Sequence, residues 1–386
     1  MSISTKPERA TAGKVVSRRV MSRKDAFLLR MLAFVPLALL FRQLGLPPLV
    51  VFATAGLAII PLAAWIANFT EAIANKIGSF LGGLLNVTFG NVTEIVVSIV
   101  ALQAGMVEVV KASLVGSIIA NLLLGLGFAF ILDGLSFKRL DFQHNIKRTT
   151  VARINSGSLN LAVVFILMPV ALKFTTSSSH QLANANHFSL VASILLLGFY
   201  AMMLFFSMKT HRFMYELEED AEPESYGSEA TGQKYELWIH VGLLLGFTVA
   251  LLFVSEALVD SLQEAVSSLG LTSLFTGVML IPIFGSAVEI ITCGMCAAKQ
   301  KIDLSISIAL GSSLQIAMFV APALVLVGQA MGQPMNLAFD TFAVLAVGVA
   351  VLMTNSVSTD GKSNWLEGVL LLMTYTMLLT AFYLHD

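Results

Sequence analysis

The sequence predicts an all-α, polytopic membrane protein of about eleven transmembrane helices: one extra N-terminal helix, then two inverted five-helix repeats. Three observations carry this. Only 12% of the 386 residues are charged and 56% are hydrophobic, whereas a soluble domain carries about 25% charged residues. Apolar runs of the roughly 20 residues that a bilayer-crossing helix needs recur along the chain, without the alternation of barrel strands. Two segments 195 residues apart echo each other around a glutamate. Soluble enzymes are excluded, and no catalytic nucleophile is signalled. A net charge of −1 leaves no footprint for nucleic acid, so the expected partners are the lipid bilayer and small ions.

Residues 1–25 form a basic tail with Lys6, Arg9, Lys14, Arg18, Arg19, Arg23 and Lys24. The apolar stretch 26–45 contains Arg30 and is followed by no small-residue cleavage site, so it reads as a retained helix rather than a signal peptide. The first repeat, 46–207, holds spans near 49–68, 80–104, 108–133, 155–173 and 187–207. A polar linker occupies 208–236. The second repeat, 237–386, holds spans near 237–259, 274–298, 304–328, 335–355 and 365–384. Trp238 and Trp365 open their helices as interfacial anchors.

Positive charge orients the chain. With the N-terminus cytoplasmic, the basic tail, Lys76, Lys138, Arg139, Lys147, Arg148, Arg153, Lys209, Arg212, Lys234, Lys299, Lys301 and Lys362 fall inside. Only Arg42, Lys111 and Lys173 fall outside. The cell (inner) membrane is expected in a bacterium and the vacuolar membrane in a eukaryote.

Gly90-Asn91-Val92-Thr93-Glu94 is matched by Gly285-Ser286-Ala287-Val288-Glu289, and Gly116-Ser117 by Gly311-Ser312, at the same offset. A second echo pairs Thr70-Glu71-Ala72-Ile73 with Ser255-Glu256-Ala257-Leu258. Five helices per repeat make the halves enter the bilayer from opposite sides, an arrangement typical of secondary transporters with a midplane site.

Glu94 and Glu289 fall in mid-span, where a charged acid costs about 2.5–3.5 kcal/mol on insertion scales and by default marks function. Removed from water, a carboxyl favours its neutral form, so each can hold a proton when a cation leaves. Asn91 and Ser98 flank Glu94 on one helical face; Ser286 holds the place of Asn91 beside Glu289. The following helices offer Ser117 and Asn121, and Ser312 and Gln315. Carboxylates, amides and hydroxyls together suit a hard cation such as Ca²⁺, and Mn²⁺ also accepts oxygen. No cofactor is expected. Gly82, Gly83, Gly90, Pro282, Gly285 and Gly311 read equally as broken helices lining a cavity and as close helix packing.

Weaker signals surround this core. Glu71 and Glu256 are access or gating candidates because they repeat, whereas Asp133, Asp260, Asp303 and Asp340 read as helix-end acids. Cys293 and Cys296 lack further ligands for a metal and read as buried spectators. Glu216, Glu218, Glu219, Asp220, Glu222 and Glu224 form an acidic segment that is either a solvated linker or regulatory. Oligomeric state is not legible.

These motifs resemble those of the calcium/proton exchangers, a branch of the cation/calcium exchanger superfamily. The resemblance rests on 86–94, on Lys111-Ala112-Ser113-Leu114-Val115-Gly116-Ser117 with Asn121, and on Gly311-Ser312-Ser313-Leu314-Gln315-Ile316-Ala317. It implies that Glu94 and Glu289 bind cation and protons, in an antiporter working by alternating access. Many members carry Asn at the position of Ser286 and His at that of Ile290, so this chain offers one amide fewer. Sodium-coupled relatives resemble proteins with further acids in the next helix, where this chain has Asn121 and Gln315. A sodium-coupled or broader divalent exchanger is the alternative, and a cation channel a more distant one.

Overall fold

The computed structural model describes residues 23–136, 146–175, 181–211, 230–358 and 364–385. Every regular element among them is helical. Each half runs through the same series. The first has α3 (Pro48–Ile77), the pair α4 (Ser79–Phe89) and α5 (Val92–Gln103), α6 (Val107–Ile119) continuing into α7 (Leu126–Ser136), then α8 (Ile146–Thr175) and α9 (Gln181–Phe205). The second has α10 (Ala230–Ser268), the pair α11 (Ser273–Gly285) and α12 (Ala287–Ala298), α13 (Ile302–Gln315) continuing into α14 (Ala321–Ala330), then α15 (Thr341–Ser358) and α16 (Trp365–Leu384). Among the described residues eight helices are long and apolar enough to cross a bilayer, or up to ten when each bent pair counts as one span.

The N-terminal span departs from expectation. The stretch 26–45 folds as two short helices, α1 (Arg23–Met31) and α2 (Phe34–Gln43), not one. Pro36 has no N–H to continue the ladder across the join, and α1 carries Arg23, Lys24, Asp25 and Arg30. At the far end of α2, Arg42 pairs with Glu256, at 3.4 Å, and with Asp260 on α10.

Two other boundaries move. The spans expected over 49–68 and 237–259 lengthen to Ile77 and to Ala230–Ser268, and α3 and α10 pack along each other. The span expected over 335–355 begins only at Thr341. Asp340 caps it, its Oδ1 accepting from Phe342 N at 2.9 Å and Ala343 N at 3.1 Å, as an N-cap does. The irregular segment before it is satisfied by side chains. Ser189 Oγ accepts from Leu337 N at 2.9 Å, and buried Lys111 donates to Asn336 Oδ1 at 3.0 Å, Ala338 O at 3.2 Å and Glu108 Oε1 at 3.1 Å. This meets the requirement that non-helical backbone at membrane depth be buried in protein.

The apolar interior divides into two clusters. One joins α2, α3 and α10 and reaches Val92, Val97, Val109 and Ile281; the other holds most of the remaining helices. Small residues bring α6 and α11 together: a Cβ at Gly116 would overlap the Val278 carbonyl oxygen, and one at Gly277 the Ala112 methyl. Such contacts let membrane helices approach at backbone distance. Gly116→Ala is therefore expected to cost about 1–3 kcal/mol by overpacking. Gly348→Ala, with open space around it, is the matched control. Thermal unfolding in detergent checks this, and equal melting temperatures would refute the close-packed seam.

Candidate cation-binding site

Both bent pairs break at the repeated motif. α4 and α5 meet at 46°, α11 and α12 at 57°. In the first break Asn91 leaves helical geometry at φ −117°, ψ 27°; in the second, Ser286 does so at φ −90°, ψ 13°. Each glutamate thus sits in the first turn of a half-helix that begins inside the protein. The free N–H groups and positive dipole end there favour negative charge. Asn91-x-x-Glu94 and Ser286-x-x-Glu289 have the spacing of a capping box, yet neither Asn91 nor Ser286 makes a side-chain cap hydrogen bond.

These side chains reach across the repeats. Ser286 Oγ donates to Glu94 Oε1 at 3.3 Å, and a Cβ on Gly285 would lie 3.7 Å from the same oxygen. Asn91 Nδ2 donates to Gln315 Oε1. Asn121 Nδ2 donates to Ser312 Oγ at 3.0 Å. The half-helix carrying Glu289 packs on the Ala120–Gly125 turn that carries Asn121, where a Cβ on Gly125 would lie 3.5 Å from Ile290. Nine of the sequence-predicted residues therefore gather at one place: Glu94, Glu289, Asn91, Asn121, Ser286, Ser312 and Gln315 by these contacts, and Ser98 and Ser117 as lining of the cavity beside Glu94. That cavity, about 10 Å³ open to a water-sized sphere, is close to the smallest that holds one water.

Four oxygens at this place lack a hydrogen-bond partner although buried: Asn91 Oδ1, Glu94 Oε2, Asn121 Oδ1 and Glu289 Oε2. Each is a lone acceptor, two from each of two residue types. Unpaired acceptors cost about 1–3 kcal/mol each, and acceptors without donors are what a hard cation satisfies. The rest of each amide and one Glu94 oxygen are held by the partner repeat, which orients the free ones.

Two features of the site escaped the sequence. Thr93 and Ser113 also line the cavity; Ser113 lies one turn before Ser117, and that four-residue spacing was the available signal. Asn121 falls in a π-helical turn, Ala120–Gly125, mirrored by Ile316–Val320 directly after Gln315. Such turns gather at functional sites, but no composition rule marks these. Outside the site stand Glu71, exposed on α3, and Glu256, held by Arg42. Cys293 is buried and its Sγ donates to Ser305 O at 3.5 Å. The segment Glu216, Glu218, Glu219, Asp220, Glu222 and Glu224 lies outside the described residues.

A family model, that of the sodium/calcium exchanger proteins, matches residues 47–209 and 239–384. The chain belongs to this family. The two matched blocks follow the two helical halves and leave the linker between them unmatched. A Ca(2+)/H(+) antiporter of Synechocystis sp. is 48% identical over 377 residues, covering 95% of this chain and 99% of that protein. The Ca(2+)/H(+) antiporter ChaA of Bacillus subtilis is 36% identical over 366 residues, 93% of this chain and 99% of its own. Among solved structures, native YfkE superimposes with a TM-score of 0.77 at 32% identity, covering 93% of this chain and all of that one. Family membership gives the chain the exchanger fold, polytopic and all-helical.

Proposed function

We propose that this family member is a secondary active Ca²⁺/H⁺ antiporter, working by alternating access with Glu94 and Glu289 as the shared cation and proton site. The observation that carries it is the set of four unpartnered buried oxygens, two of them carboxylate, contributed by both repeats. The relatives named above as Ca(2+)/H(+) antiporters support the choice of ions. Two ionised carboxylates balance one divalent cation; two protons balance the same pair when it leaves. The site therefore holds one or the other, and that exclusivity couples the fluxes. Asn91 and Asn121 are the neutral ligands; Ser98, Ser117, Ser286, Ser312 and Gln315 support them. Mn²⁺ fits the same oxygen chemistry as a second substrate.

A sodium-coupled exchange would need further charge at the site, and Asn121 and Gln315 add none. The chemistry is binding and release, not catalysis. The lysine and arginine asymmetry supports a cytoplasmic N-terminus and, with it, a cytoplasmic acidic segment Glu216–Glu224, as a solvated linker or a regulatory element. Deleting that segment is expected to change transport rate and leave coupling intact; a Ca²⁺ leak uncoupled from protons would place it in the permeation path instead.

The deciding experiment is Ca²⁺ flux in reconstituted vesicles under an imposed pH gradient, with and without sodium. Uptake that follows the pH gradient and ignores sodium is expected. Uptake that requires a sodium gradient would overturn the proton reading.

A further inference from the structure

Asn121 brings its free oxygen to the site from the π-helical turn Ala120–Gly125. In that turn the Leu126 N–H reaches back to Asn121 O and Leu123 O. It passes over Leu122 O, the acceptor four residues back that an α-helix would use. Leu122 is 0% exposed, so bulk water does not reach that carbonyl, and a buried carbonyl needs a partner.

The partner comes from another helix. Thr354 Oγ1, also fully buried, donates to Leu122 O at 3.4 Å. Thr354 lies on α15, which packs on the turn and supplies none of the cation ligands. A helical threonine readily turns its hydroxyl to the carbonyl four residues earlier. Thr54, Thr70, Thr248 and Thr292 all do so, at 2.6–2.8 Å. Thr354 forgoes that short local bond for one across the helix interface. Asn121 is thus held twice by the second repeat: its Nδ2 donates to Ser312 Oγ at 3.0 Å, and the carbonyl of the next residue is tied to Thr354. Its Oδ1 is left over, buried and unpartnered.

We propose that Thr354 is a positioning residue for the cation site, its hydroxyl clamping the π-helical turn at Leu122 so that Asn121 Oδ1 stays turned to the cation. This rests on the cation site proposed above. A π-helical turn carries one residue more than the α-helical turn it replaces, so its loss would rotate Asn121 by about 100° against the helix that follows. Because Asn121 is neutral, the clamp acts on cation affinity and not on the groups that carry protons. Preorganising a ligand in its bound position raises affinity by lowering the ordering cost of binding.

The test compares Thr354→Val, Thr354→Ser and Asn121→Ala in the full-length protein, each reconstituted and assayed for Ca²⁺ exchange. Thr354→Val keeps the volume and removes the hydroxyl. It is expected to raise the half-saturating Ca²⁺ concentration about 3- to 10-fold, the effect of one hydrogen bond, with unchanged maximal rate and pH profile. Thr354→Ser keeps the hydroxyl and is expected to match the wild type. In the Asn121→Ala background Thr354→Val is expected to add nothing, because residues that act through one contact are not additive. The same split is expected between Thr354→Ser and Thr354→Ala, which differ by the hydroxyl alone, so the comparison stands if the valine variant fails to fold. Hydrogen exchange of the backbone amides in the turn reads the clamp without transport and is expected to quicken in Thr354→Val. Equal losses in the serine and valine variants, losses additive with Asn121→Ala, an unchanged half-saturation in Thr354→Val, or unchanged exchange in the turn would each overturn the clamp. Wild-type half-saturation in Asn121→Ala, or wild-type vesicles deaf to the pH gradient, would instead overturn the cation-site reading, so the two failures are distinguishable.

Discussion

Glu94→Gln and Glu289→Gln each abolish pH-driven Ca²⁺ uptake in vesicles, while both variants insert and melt like the wild type. Glutamine keeps the volume and one acceptor oxygen but removes the charge that binds Ca²⁺ and the proton that is exchanged. A loss of at least about 100-fold, or 2.7 kcal/mol, is expected from either change, since a site with one carboxylate cannot balance a divalent cation. The fold tolerates the change because glutamine at position 94 keeps an oxygen to accept from Ser286, and one oxygen of each glutamate is already unpartnered. Asn121→Ala is the informative contrast. It removes a neutral ligand, weakens Ca²⁺ affinity and preserves coupling. Substantial pH-driven transport by either glutamine variant would remove the two-carboxylate site from consideration.

The second large effect is thermodynamic. With one Ca²⁺ exchanged for two protons, one pH unit supplies about 1.36 kcal/mol per proton, which sustains a hundredfold Ca²⁺ gradient. The cycle moves no net charge, so a clamped voltage leaves the balance point in place. The measurement is the Ca²⁺ ratio at zero net flux in proteoliposomes at several pH differences and voltages. A tenfold ratio per pH unit means one proton. A thousandfold ratio with a voltage shift of about 2.3 kcal/mol per charge per 100 mV means three and needs another titrating acid. Among the described residues there is no ready third carboxyl: Glu71 is exposed, and Glu256 lies apart from the site in an ion pair with Arg42.

Much of this was legible from residue order. The repeated Gly-x-x-x-Glu segments, the matched Gly-Ser pairs and the span count placed Glu94 and Glu289 at corresponding depths of an inverted pair. Of the six glycines and prolines read as breaks or as close packing, Gly90 and Gly285 fall at the helix breaks, Pro282 lies inside α11 just before one, Gly82 and Gly83 pack closely against Ala74 and Met208, and Gly311 lies inside α13. The expectations that moved were those set by hydropathy alone. It joined 26–45 into one helix across Pro36, and it began a helix near 335, where Lys111, Ser189 and Asp340 instead stabilise irregular backbone.

The sequence by itself determined the membrane class, the helical content, the two-fold internal repeat and the identity of the paired acids. These follow from composition and from periodicity along the chain, which are local quantities. Only the tertiary structure decided how the halves meet. Ser286 turns to Glu94 and not to its own helix, Asn91 binds Gln315 and Asn121 binds Ser312, each contact crossing between repeats separated by some two hundred residues. Arg42 finds Glu256 and Asp260 for the same reason. Hydrogen-bonding side chains carry no mark of their partner in the sequence; which acceptor is left free for a cation depends on the packing that brings the two breaks face to face.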